Sequence, residues 1–337
     1  MSTNALLNAL DAAGLTVADD APPALDLPHR AWTAITDVCL IRFSGPDTRR
    51  FLQGQVTCQL DDLSETHALL GAACTPKGRA YASFRLLQAG DTVLMGVHCS
   101  LAEATLAHLK RFAAFFKVNL SLAEDWGALG MLGASLDIPP GIPGTVHTLG
   151  DTYAIDLSPT VEGLSRREVW GPVDTLTRLA VAQGGAAQPA GLWPLARLRA
   201  GEAWITEASR EQHVPQHFNW QHLDGIHFRK GCYTGQEIIA RMRYLGQLKK
   251  SLYRVQGEAG IPPAVGTGLA DTPDAESATV GDVVNSIALD AGRFEALVIL
   301  PHARATAPLY YQGRPVSLCT LPYAVPEQSA PDAAAME

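Results

Sequence analysis

The run Lys230-Gly231-Cys232-Tyr233-Thr234-Gly235-Gln236-Glu237 places a thiol among cations and glycines, directly ahead of a helix-start pattern. Thr234 followed three residues later by Glu237 reads as a capping box that opens a helix through Ile238, Ile239 and Met242. Cys232 then lies just before a helix N-terminus, where unpaired backbone N–H groups and the positive end of the macrodipole favour an anion. Arg229 and Lys230 add positive charge. The anion so favoured is a thiolate, the form of cysteine that attacks electrophiles and binds metals. Gly231 and Gly235 permit positive φ or the close approach of a ligand to the backbone. The competing reading is a small apolar cysteine that closes a helix end in the core. The flanking cations and glycines favour chemistry, with Cys232 and Lys230 as candidate catalytic residues.

Two further patterns surround this run. His213, His217, His222 and His227 precede it, but Pro215 interrupts the one helical pair and no second cysteine is near. A closed metal site normally needs four ligands, so no permanently bound metal is expected. A transient iron–sulfur cluster shared with a partner, with Cys232 as one thiolate, is chemically allowed. Residues 229–250 carry six cations (Arg229, Lys230, Arg241, Arg243, Lys249, Lys250) against one acid, Glu237. That strip suits a ligand bearing carboxylates or phosphate, or is a solvated helix face.

The elements that position these residues belong to a chain of 337 residues, 47% hydrophobic and 18% charged, long enough for two or three domains. A net charge of −8 argues against a general affinity for nucleic acid or anionic membrane, so no direct nucleic-acid or membrane partner is expected and any such contact must be local. No window nears eighteen uninterrupted apolar residues, and Met1–Leu10 lacks a secretory pattern, so a cytoplasmic protein is expected. The cysteines at 39, 58, 74, 99, 232 and 319 are widely spread, and most are expected to be reduced and buried.

Hydrophobic patterning gives an extension over 1–24, an α+β body over 25–247, a β-rich domain over 248–325 and a disordered tail over 326–337. A strand over 37–43 leads into a helix capped by Ser44, and Ala80, Ala82, Phe84 and Leu86 alternate in a hairpin that returns over Thr92–Cys99. Ser100 and Glu103 read as a second capping box, for a helix whose apolar face holds Thr105, Leu109, Phe112, Ala113 and Phe116. Further helices are expected near 171–183 and 192–203. Short strands are expected at about 252–256, 279–284, 294–300 and 308–319.

Taken with Gln53-Gly54-Gln55-Val56-Thr57, Pro76-Lys77-Gly78-Arg79 and Arg111-Phe112-Ala113-Ala114-Phe115-Phe116-Lys117-Val118, the cysteine run makes the chain resemble the YgfZ family. These are relatives of the aminomethyltransferase (T-protein) of glycine cleavage, implicated in folate-dependent maintenance of iron–sulfur enzymes. The resemblance implies a T-protein-like architecture of two interwoven α+β subdomains with a small C-terminal β-barrel, around an opening that accepts tetrahydrofolate. It implies folate contacts among Gln55, Lys77, Arg79, Arg199, Gln216, Asn219, Gly231, Tyr233, Gly235, Gln236 and Glu237. Its implied partners are iron–sulfur enzymes or their assembly factors.

Two departures bear on activity. Ungapped alignment puts Ala82 and Ser83 where the T-protein carries its pair of aspartates, so the acid–base group of aminomethyl transfer is missing and glycine cleavage is not expected. Arg199 stands where such relatives have a glutamate that grips the pterin, and an arginine cannot accept the pterin amino hydrogens; Glu202 would have to substitute. On this reading Arg199→Glu tightens folate binding. Three functions compete: a folate-binding accessory factor for iron–sulfur enzymes including tRNA-modifying ones, a folate-dependent one-carbon transferase or demethylase, and a non-catalytic scaffold.

Overall fold

The computed structural model describes residues 2–18, 21–133, 136–184, 186–244, 246, 248–274 and 279–325. The tail expected to be disordered lies outside the described residues. Three antiparallel sheets form the body. The first has the order β1-β7-β10-β9-β8, from β1 (Arg30–Ala34), β7 (Trp126–Gly133), β8 (Val146–Leu149), β9 (Thr152–Leu157) and β10 (Arg166–Pro172). The second has the order β3-β4-β5-β2-β6, from β2 (Val38–Ser44), β3 (Leu69–Cys74), β4 (Ala80–Ala89), β5 (Thr92–His98) and β6 (Asn119–Leu122). The chain leaves the first sheet after β1, builds the second, and returns at β7, which makes the two subdomains interwoven.

Burial explains the patterning. In β4, Phe84 and Leu86 face the core shared with α2 (Thr48–Gln53) and α3 (Ala102–Ala113), whereas Arg85 and Leu87 face the first sheet. Both faces of β4 are therefore covered, and each fully buried Leu or Phe contributes about 1.5–3 kcal/mol. On the outer face of the first sheet lie α1 (Ser2–Ala12) and α4 (Val173–Gln183), with Leu6 and Leu10 buried against Leu129, Val169 and Leu176. The N-terminal stretch is thus a docked amphipathic helix. The third sheet has the order β13-β12-β16-β17-β11-β15-β14, from β11 (Lys250–Glu258), β12 (Leu269–Ala270), β13 (Thr279–Val280), β14 (Asp282–Ala288), β15 (Arg293–Pro301), β16 (Leu309–Tyr311) and β17 (Arg314–Cys319). It curls into a half-barrel.

Several local expectations are corrected. Ser44 ends β2, and Asp47 caps α2 by position; its carboxylate instead accepts the Lys117 N–H at 2.8 Å, tying α2 to the segment after α3. Ser100 does not cap α3, because a 3-10 turn over Cys99–Leu101 intervenes and the Ser100 hydroxyl accepts the Glu207 N–H. Helix α5 (Leu192–Arg199) stops short of 203, and Phe112 is 41% exposed rather than part of a buried stripe. The cysteines are not uniformly free. Cys39 and Cys99 form a disulfide, Cys58 and Cys74 are free and buried, Cys319 is half-buried and Cys232 is exposed. Spacing along the chain could not reveal the pair, whose proximity depends on β2 and β5 becoming neighbours.

Candidate functional site

The cysteine run leads into α6 (Gln236–Tyr244). The first helical acceptor is the Gly235 carbonyl, bonded by the Ile239 N–H at 3.3 Å, so Gly235 rather than Thr234 holds the cap position. Thr234 is engaged elsewhere, its N–H donating to the Gly54 carbonyl at 3.2 Å. Gly235, at φ +88, turns the chain into the helix, and a Cβ there would stand 2.7 Å from the Thr75 carbonyl oxygen and 3.2 Å from the Gly78 Cα. A Cβ on Gly78, at φ +70, would stand 2.8 Å from the Ile238 Cβ. The glycines of two sequence motifs thus meet, and Gly235 serves packing rather than ligand approach. Gly231 is the opposite case. It is exposed, no heavy atom beyond its two chain neighbours lies within 4 Å of where its Cβ would stand, and the neighbouring Cys232 is exposed with it.

Lys230 does not serve as a free cation beside the thiol. Its ammonium is turned inward and donates to the carbonyls of Gln53, Val56 and Cys58 at 2.9, 2.7 and 2.6 Å, above the Tyr233 ring. Burial lowers its pKa to about 8, against the opposing pull of Cys58 and Asp61. All three ammonium protons are used, so Lys230 clamps the Gln53–Cys58 loop to the cysteine run. The Cys58 thiol beside it is pushed up to about 12, chiefly by burial and despite Lys230, and burial raises Cys74 further. Among the free cysteines, Cys232 alone is exposed.

The other expected ligand contacts divide in the same way. Lys77, Arg79 and Glu237 are exposed, Gln55 and Gln236 are half-buried, and Gln236 donates to the Lys230 carbonyl at 3.3 Å. Arg79 also reaches the Gln212 carbonyl. Arg229, Arg241 and Lys249 are exposed, Arg243 lies over Phe228, and Lys250 approaches Asp282 at 3.9 Å. Of the basic strip, Lys230 therefore adds nothing to the surface.

Arg199 is buried, and its guanidinium binds Glu295 at 2.6 Å and the Leu25 carbonyl at 2.6 Å, with Glu162 at 3.3 Å. Glu202 accepts from Arg85 and Arg166, both at 2.7 Å, and from the Trp204 indole at 3.1 Å. Despite burial, Arg85 and the other arginines hold its pKa at about 2. Asn219, left-handed at φ 60, gives both ends of its amide to the Leu252 backbone. Gln216 donates to the Ile239 carbonyl at 2.7 Å, and its oxygen is left unpaired. Ser83 accepts the Ile205 N–H at 2.9 Å, and Ala82 is buried in the second sheet's core. A pterin held through Arg199, Glu202 or Asn219 does not fit this set, because those groups are consumed internally.

The histidines form no shared centre. His213 lies 3.6 Å from Asp282 and edge-on to His217, whose pKa burial lowers to about 3, with His213 adding to the shift, while His222 stacks on Tyr323. Among the described residues no group of three or more His, Cys, Asp or Glu side chains is placed to hold a metal ion. Two cavities, of about 180 and 370 Å³, open beside Cys99 and beside Arg49, and neither is bordered by an expected folate contact.

No family model matches the chain. It is 31% identical over 273 residues to the tRNA-modifying protein YgfZ of Klebsiella pneumoniae, covering 79% of this chain and 84% of that one. The chain belongs to the YgfZ family. The YgfZ protein of Sodalis glossinidius is 30% identical over 333 residues, 91% of this chain and 98% of its own length. That of Colwellia psychrerythraea is 29% identical over 257 residues, 74% of this chain and 78% of its own. The crystal structure of the glycine cleavage system aminomethyltransferase T from Bartonella henselae superposes with a TM-score of 0.67 at 16% identity, covering 94% of this chain and 89% of that one. YgfZ membership and an aminomethyltransferase fold therefore stand together. Among the described residues no helix is long and apolar enough to cross a membrane.

Sequence reasoning missed three features of this YgfZ chain. The inward turn of Lys230, the Arg199–Glu295 pair and the Cys39–Cys99 bond all join residues far apart in sequence. Only the presence of an arginine at 199 hinted that the second of these needed a buried acid.

Proposed function

We propose that this YgfZ-family chain is a folate-binding accessory protein that supports assembly or repair of iron–sulfur enzymes, tRNA-modifying ones among them, with Cys232 as its reactive centre. The observation that carries this reading is the exposure of Cys232 next to the open space at Gly231, while the Lys230 hydrogen bonds and the close packing of Gly78 and Gly235 hold the run from behind. A thiol so presented can ligate iron or attack an electrophilic sulfur on a client docked against α6. The fold and the exposed cations Lys77, Arg79 and Arg241, suited to a glutamyl tail, support folate as ligand. The groups at the pterin-gripping positions do not fit the inherited pose, being paired within the protein. Loss of both T-protein carboxylates at Ala82 and Ser83 disfavours turnover as a one-carbon transferase.

The test is genetic and biochemical. Cells carrying Cys232→Ser as their sole copy should lose activity of an iron–sulfur tRNA-modifying enzyme while the variant accumulates and folds as wild type. Unchanged client activity would leave the thiol incidental and favour the scaffold. Titration calorimetry with tetrahydrofolate tests the ligand separately, and absence of heat would remove folate from the reading.

A further inference from the structure

A second sulfur site stands apart from Cys232. Cys39 on β2 and Cys99, just past β5, are bonded across a sequence separation of 60 with Cα atoms 4.8 Å apart. The two strands are paired without that bond, from Val38↔His98 to Ser44↔Thr92, and the Cys99 N–H donates to the Asp37 carbonyl at 2.8 Å. The strand ladder thus has hydrogen bonds of its own beside the disulfide.

The bond is also reachable. Cys39 is 7% exposed, Cys99 is half-buried, and both line a cavity of about 180 Å³ with Leu40 and Leu122 on its walls and the exposed carboxylates of Glu103 and Glu124 among its lining. At about 30 Å³ per water, that space admits a thiol of a few heavy atoms rather than a folded reductase. Two carboxylates beside the approach repel an incoming thiolate that carries another negative charge and favour one that carries an ammonium.

We propose that Cys39–Cys99 is a redox-modification site opened by small neutral or cationic thiols; it does not rest on the reading of Cys232. The thiolate of the small thiol attacks the Cys99 sulfur, the more exposed of the two. A new S–S bond forms as the Cys39–Cys99 bond breaks, and the electron pair leaves on the Cys39 sulfur, which takes a proton from water. A second small thiol displaces Cys99, so that two small thiols are oxidised to their disulfide while the protein disulfide is reduced to two thiols.

The full chain, isolated without reductant, is treated natively with 2-aminoethanethiol or 2-mercaptoethanesulfonate, then alkylated in denaturant and mapped by peptide mass. Each rate is divided by that of the same thiol, at equal thiolate concentration, on bis(2-hydroxyethyl) disulfide. Cys39 and Cys99 should resist alkylation before treatment and accept it afterwards. The normalised rate should be about three- to tenfold higher for the cationic thiol at low salt, a ratio that falls toward one in Glu103→Gln/Glu124→Gln. Alkylation of both cysteines in untreated protein, opening only after unfolding, equal normalised rates in wild type, or an unchanged ratio in the double variant would each overturn the proposal.

Discussion

The charged groups around Glu202 and Glu295 and those around Cys232 are handled in opposite ways. Glu202 is gripped by Arg85 and Arg166, and Glu295 by Arg199 and Arg254, all buried, so each carboxylate is closed to any ligand. In the cysteine run the buried cation, Lys230, donates to three backbone carbonyls above the Tyr233 ring, and Cys232 is exposed. A charged residue expected to meet a ligand, such as Arg199, serves here as an internal strut. Cys232 is the position whose neighbours leave it open.

Substitutions sharpen this contrast. Arg199→Glu would set a third carboxylate beside Glu295 and Glu162, and breaking a buried pair costs about 3–5 kcal/mol, read as a lowered denaturation midpoint. The first effect expected of Arg199→Glu is therefore a loss of stability, against which any change in folate binding has to be read; wild-type stability in Arg199→Glu would break the comparison. Lys230→Met leaves the Gln53, Val56 and Cys58 carbonyls without their donor, a loss of about 2–4 kcal/mol by the same measurement.

A pH effect comes next in size. His217 has a folded pKa of about 3 against 6.5 for the free side chain, lowered by burial first and then by His213. As pH falls from the unfolded value toward the folded one, the unfolded chain binds a proton that the folded chain does not. Stability is thus full above the unfolded pKa and declines below it, by about 1–2 kcal/mol between pH 7 and 5. Denaturation of His217→Gln across that window should show a correspondingly shallower decline. Smallest of all is Cys232→Ser, an exposed exchange that should move stability by less than about 0.5 kcal/mol.

The sequence was most legible where periodicity acts locally. The β4–β5 hairpin, α4 and the succession of strands after Lys250 follow from alternation, turn residues and helix stops. The cysteine run was legible as a helix entrance because glycine, cation and thiol are neighbours in sequence. What Gly235 packs against was not, since Gly78 and Thr75 arrive from another strand turn. Helix caps misled at Ser44, Ser100 and Thr234 because each backbone or side chain found a different partner: the ladder of β2, the Glu207 N–H and the Gly54 carbonyl. Charges misled at Lys230 and Arg199 because their burial depends on acceptors more than 90 residues away in sequence.

Competitive alkylation of the native full chain tests the account most directly. With a small neutral reagent and peptide mapping over time, Cys232 should be modified to completion while Cys58 and Cys74 stay unmodified until denaturant is added. If Cys232 lags with the two buried thiols, it is not the open sulfur on which the proposed function depends.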